Sequence, residues 1–254
     1  MTTERPDRPI VDVEAPETWP APLAALVADI ATTAPSNNPE AYVDLRIDDR
    51  EDEARQLLAG HLVRARHCTR LLAHEADAIR AEGLRLLTPE LLTHRLDQAH
   101  QLGLLTAAER TTLSAGNRLA VGHQWAQPKP GIFFFLTTFV LRERLYNIWP
   151  LLSTWGGEAI YGNFNNAEPA NKALAARLRC LGRPAIVTTL LDLSDPRLHR
   201  ISRSLVHAFV GCQLGAEEAD AVVHYLTAVP PQQVESVALP GDAAYDQFPR
   251  LPRS

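Results

Sequence analysis

The run Leu151-Leu152-Ser153-Thr154-Trp155-Gly156-Gly157-Glu158-Ala159-Ile160-Tyr161 sets a single carboxylate between a glycine pair and an apolar stretch. Gly156 and Gly157 admit positive φ and close approach by a ligand or a second backbone. Trp155, Ala159, Ile160 and Tyr161 read as a strand of a buried sheet, so Glu158 belongs on the wet face of that strand or in a cleft that tolerates a charge. The first makes it an ordinary surface residue. The second makes it the leading catalytic candidate. Two further groups carry chemistry. His67-Cys68-Thr69-Arg70 brings an imidazole, a hydroxyl and a guanidinium to the far end of a strand expected over Leu62 to Arg70. Gly131 to Phe139 is aromatic and β-branched without alternation, which predicts a strand buried on both faces.

The elements that position these groups are legible in part. Alternation predicts a strand over Tyr42 to Ile47, followed by a short helix from Glu51 to Gly60. Glu75 to Glu82 reads as a helix stopped by Gly83. Thr88 and Pro89 open a second helix with Leu92, Leu96 and Ala99 on one face and Gly103 as its stop. Thr106 and Glu109 form a capping box for a third, ending at Gly116. Leu145 to Ser153 is helical or a compact connection with a break near Pro150. Pro184 to Leu193 and Gln232 to Leu239 read as strands, and Ile201 to Phe209 as amphipathic helix or strand. Residues 1–40, with Pro6, Pro9, Pro16 and Pro20 among charges, are expected as an extended arm carrying a short helix at Leu23 to Ile30. Residues 41–254 then form a single domain. Helices gather early and strands late, which predicts an α+β fold.

The 254 residues are 46% hydrophobic and 22% charged, with a formal net charge of -5. Residues 1–60 hold 13 acidic and 5 basic side chains, whereas residues 170–205 hold 7 basic and 2 acidic. An acidic chain is a poor generic nucleic-acid binder, although the basic block can face phosphates. Cys68, Cys180 and Cys212 lack a CxxC pair, so neither a disulfide framework nor a thiolate zinc site is expected. Met1 to Glu17 contains no apolar run, and the longest such run, Ile132 to Leu141, is too short to span a bilayer. A cytoplasmic protein that does not enter a membrane is expected.

In order along the chain, His67-Cys68-Thr69, Ile79 with Gly83-Leu84 after a short helix, Ile132-Phe133-Phe134-Phe135 and Glu158-Ala159-Ile160-Tyr161 resemble the motifs of the ADP-ribosyltransferase superfamily. The resemblance is to its diphtheria-toxin and poly-ADP-ribose-polymerase-like branch and covers roughly residues 60–240. It implies a split β-sandwich with NAD, as co-substrate, in the cleft between sheets. Glu158 would be the catalytic carboxylate, stabilising the oxocarbenium charge that grows on the ribose as nicotinamide leaves. His67 and Thr69 would hold the adenosine side, Arg70 the pyrophosphate, and Phe134 or Tyr161 would stack on nicotinamide. The acceptor would be a macromolecule, protein or nucleic acid, as for a toxin or defence effector, with NAD hydrolysis where water enters first. The chain departs from that pattern in having Cys68 where Gly is usual and Phe where the second strand usually has Tyr. It also carries a helical insertion from Glu90 to Pro130.

Other readings compete. His67 can be a structural histidine, Arg70 can pair with Glu75 on the surface, and Phe133 to Phe135 can all be core. Cys68, between Arg66 and Arg70, can be a nucleophile. His61, His67, His74 and Glu75 can serve a metal-dependent hydrolase, although their spacing is not that of a helical pair. The block Arg177, Arg179, Arg183, Arg197, Arg200 and Arg203 can be the contact face of a non-catalytic binding module.

Overall fold

The computed structural model describes residues 7–33, 50–121, 131–157, 159–160, 169–201, 205–216 and 221–254. Its centre is β2 (Leu62–Leu71), a ten-residue strand whose whole length is used. One edge pairs antiparallel with β4 (Arg183–Leu191) from Val63↔Leu191 to Leu71↔Arg183. The other edge is shared. β1 (Ile10–Val11) runs parallel beside Leu62 and Val63, and β3 (Ile132–Phe135) meets β2 antiparallel at one position, Arg66↔Phe135. With β5 (His199–Ile201), β6 (Val222–Tyr225) and β7 (Val234–Ala238) the order is β5-β6-β3-β2-β4-β7, an open sheet of seven strands counting β1. The fold is mixed α+β.

Apolar residues on β2, β3 and β4 face both ways, and each face is covered by helices. On one face Val63, Ala65, Phe134 and Val187 pack with α1 (Ala21–Ala31) and α10 (Leu205–Leu214), where Trp19 meets Phe209 edge-on at 5.0 Å. On the other, Cys68, Phe135 and Ile186 pack with α7 (Phe139–Arg142), α8 (Leu145–Ser153) and Tyr245 of α11 (Ala243–Asp246). A third cluster joins α4 (Pro89–Gln101), α5 (Ala107–Gly116) and α9 (Pro169–Cys180) around Trp155 and Ile160.

Three expectations are corrected. The described part of the N-terminal stretch, residues 7–33, is packed rather than extended. Val11, Val13, Trp19, Leu23 and Val27 are buried in the main core, because a short apolar strand and an apolar helix outweigh the four prolines between and around them. The expected strand after Gly157 is not one: Ala159 and Ile160 are helical, and Ile160 N donates to Gly157 O at 3.0 Å. Their apolar side chains are buried among helices, an environment that makes the same demand on composition as a sheet does. The aromatic strand is only four residues long, and Phe133 is 43% exposed. The strand expected at Tyr42 to Ile47 lies outside the described residues, as do Glu158 and Tyr161.

Candidate functional site

The antiparallel register that pairs Arg66 with Phe135 would, if continued, set Cys68 against Phe133 and Thr69 against Ile132. Among the described residues that ladder does not continue. β4 stays with β2 and β6 stays with β3, so the sheet opens between its two halves. His67 bridges the opening at its apex, Nδ1 donating to the Phe133 carbonyl at 2.9 Å. Because a carbonyl only accepts, the neutral ring carries its proton on Nδ1 and leaves Nε2 as an acceptor. Burial pushes the His67 pKa below its ordinary value, the Phe133 carbonyl opposes this, and the nearby Arg95 charge adds to it.

A cavity of about 650 Å³ occupies the opening. That volume is in the range of sites that enclose a whole small ligand. α3 (Ala73–Glu82) contributes from one side of the sheet, through His74, Glu75 and Ile79, and α8 from the other, through Asn147 and Leu151. His67 and Thr69 line it, together with Phe133, Gly156 and Gly157. Phe133 stacks on His224 with ring centroids 4.5 Å apart and planes 12° apart, so one ring face is taken and 43% of the residue remains exposed. Gly131 permits that stack, since a Cβ there would lie 2.0 Å from His224 Nε2.

A polar cluster holds the far wall. Glu75 accepts from Arg95 Nε at 2.6 Å, from Leu72 N at 2.8 Å and from Trp155 Nε1 at 2.9 Å. Burial raises the Glu75 pKa, but the Arg95 charge and these three bonds outweigh it, so the carboxyl sits below its ordinary value. The Arg95 guanidinium lies 5.1 Å from the Trp155 ring centroid.

The structure brings His67 and Thr69 to one cavity and takes two other candidates elsewhere. Arg70 is 2% exposed and donates to Leu181 O at 2.6 Å and Leu152 O at 3.1 Å, so it ties β2 to its neighbours instead of facing a ligand. Phe134 is fully buried in the main core. The ring at the cavity is Phe133, one residue earlier; the register sets it on the face of Cys68, opposite the face shared by His67 and Phe134, and it reaches the cavity because the sheet is open there. Glu158 follows Gly157 of the cavity wall by chain connection alone. Arg70 does not pair with Glu75, whose partner is Arg95. Cys68 is no activated thiol: it is fully buried, and burial pushes its pKa up to about 12. Its side chain goes into the core beside Phe135 and Ile186, which accommodates a Cβ at that position.

No family model, curated protein or solved structure matches this chain.

The competing groupings also find their places. Among the described residues no group of three His, Cys, Asp or Glu side chains is disposed to hold a metal ion. His67 faces the Phe133 carbonyl and Glu75 faces Arg95. Of the basic block, Arg177 donates to Leu104 O, Arg183 to Pro240 O and Arg197 to Asp195, while Arg203 lies outside the described residues. No helix among the described residues is long and apolar enough to cross a membrane. The residues that composition and spacing did not reveal are Arg95, Trp155 in its polar role, and His224. Each acts through a partner far away in sequence.

Proposed function

We propose that this chain binds NAD in the opening between β2 and β3, cleaves the nicotinamide–ribose bond and passes ADP-ribose to a macromolecular acceptor. The observation that carries the reading is the open ladder itself, which gathers His67, Thr69 and the exposed ring of Phe133 around one cavity beside Gly157. In this reading His67 Nε2 accepts from a ribose hydroxyl and Thr69 holds the adenosine side. The free face of Phe133 stacks on the nicotinamide ring. The C1′–N bond breaks with its electron pair going to nicotinamide, which leaves neutral. A lone pair of the acceptor then bonds to C1′, and the acceptor's proton passes to Glu158 or to solvent. Glu158, the residue that follows Gly157 in the chain, lowers the energy of the oxocarbenium-like transition state through its charge. Where water is the acceptor, the products are ADP-ribose, nicotinamide and a proton.

Incubation of the purified protein with NAD should release nicotinamide. Glu158→Gln keeps shape but removes charge, and should lower kcat by roughly 10² with little effect on NAD binding. A folded Glu158→Gln protein releasing nicotinamide at the wild-type rate would remove Glu158 from the mechanism, and no release by the wild type would overturn the reading.

A further inference from the structure

The Arg95 guanidinium is only partly used. Its Nε is taken by Glu75 Oε1, whereas Nη1 and Nη2 have no hydrogen-bond partner among the described residues, and Nη2 is buried. Glu75 does not consume the charge alone with Arg95, since it also accepts from Leu72 N and Trp155 Nε1. The Glu75 bond and the Trp155 ring together fix the guanidinium plane, so the Nη edge is held ready at little entropic cost. Arg95 lines the same cavity as His67, and its charge is felt by that imidazole. Three other basic or unpartnered groups line that cavity among the described residues: exposed Arg85, which has no ion pair among them, exposed His94, and His74, whose Nε2 is buried without a partner. Opposing them are Glu75, already neutralised, and Glu82 on an exposed part of α3.

We infer that the Nη edge of Arg95 is the docking point for a phosphate of a diphosphate-bridged nucleotide, with Arg85 at the rim drawing the anion inward. The identity of the ligand rests on the NAD reading above; the anion site does not. A planar guanidinium edge with two N–H donors matches two phosphate oxygens, which a lysine ammonium cannot do. The inference gives α4, part of the long segment after the first motif, a direct role in ligand binding and relieves Arg70 of the one its sequence position suggested.

The test compares ADP with adenosine by titration calorimetry on the wild type and on Arg95→Lys, which keeps a positive charge against Glu75 but loses the fork. The wild type should bind ADP roughly tenfold or more tightly than adenosine, and the advantage should shrink as salt is raised. Arg95→Lys should lose most of that gap while its adenosine affinity stays put. Equal binding of ADP and adenosine by the wild type, absence of ADP binding, or a folded Arg95→Lys protein with the wild-type gap would each overturn the inference. If Arg95→Lys does not fold, the double variant Glu75→Gln/Arg95→Met removes the pair together and must show the same loss. A protein that prefers ADP through Arg95 yet releases no nicotinamide from NAD would sink the activity and leave the anion site standing. One that releases nicotinamide with an unchanged KM in Arg95→Lys would do the reverse.

Discussion

Phe133 and Phe134 are neighbours of the same type with opposite duties. Phe134→Ala should cost about 3–5 kcal/mol, the usual loss for a large aromatic removed from a packed core. Phe133→Ala leaves no buried void of that kind, so it should move thermal unfolding far less while weakening NAD binding. A Phe133→Ala protein that binds NAD as the wild type does would show that the exposed ring is not a platform. His67 sets a second expectation, through pH. Burial holds both His67 and His199 below the ordinary 6.5, with the Arg95 and Arg55 charges respectively adding to the effect. The unfolded chain therefore binds protons there that the folded chain refuses. Their stabilising contribution is complete above pH 6.5 and is lost as pH falls through the interval down to the folded values. Glu75, held below its ordinary 4.5, adds a further loss at lower pH. The melting temperature should thus fall on acidification from pH 7, and His67→Gln should flatten part of that fall, His199 keeping the rest. An unchanged profile in His67→Gln would mean that the fold does not hold the His67 imidazole neutral.

At the scale of elements, Gly83 does what its place after α3 demands, and more. Its φ of +88° with ψ of -174° is a region open only to glycine, and a Cβ would lie 2.1 Å from Val229 O. The Leu84–Val229 bridge depends on that approach, with N···O distances of 2.9 and 2.8 Å. Gly83→Ala should destabilise by about 3 kcal/mol through strain, with the backbone contact adding to it, and calorimetric unfolding can measure this. Caps and stops of this kind were legible because they are local. Thr88 accepts from Leu91 N, and Thr106 and Glu109 exchange bonds across four residues, so sequence spacing alone fixes the outcome. β1, β5 and β6 were not legible. Each is two to four residues long and exists only because a distant strand offers its edge. The cavity shares that difficulty: Arg95, Glu75 and Trp155 are 20 and 80 positions apart around the shared carboxylate. His67 and Thr69 were readable as a pair because two residues apart on a strand means one face, whereas Phe133, which the register sets on the opposite face, joins them only because the β2–β3 ladder stops after one pair, and no local pattern shows that.

For the whole molecule the question is whether the opened sheet is built to be filled. Its two halves are each anchored independently, β2 and β4 by a nine-position ladder and β3 and β6 by a four-position ladder, while one pair joins them. The apolar clusters above and below reach across the opening, Phe134 packing with Ala65 and Val187, and Phe135 with Cys68 and Ile186. The opening is therefore stable without a ladder, and a ligand spanning His67, Phe133 and Arg95 would bond to both halves. Such a ligand binds the folded chain and not the unfolded one, so NAD at about 100 times its dissociation constant should add about 2.7 kcal/mol of stability. For a chain of this length that corresponds to a rise of roughly 5–10 °C in melting temperature. Zinc chelators should leave the melting temperature where it was, because His67 and Glu75 are already engaged with Phe133 and Arg95 and are not grouped for a metal. Nicotinamide alone should give a much smaller rise than NAD, since it reaches the Phe133 ring without reaching Arg95. Equal shifts from the two at matched concentrations would mean that only the ring end of the cavity binds, and no shift from NAD at millimolar concentration would mean that the opening serves a different ligand.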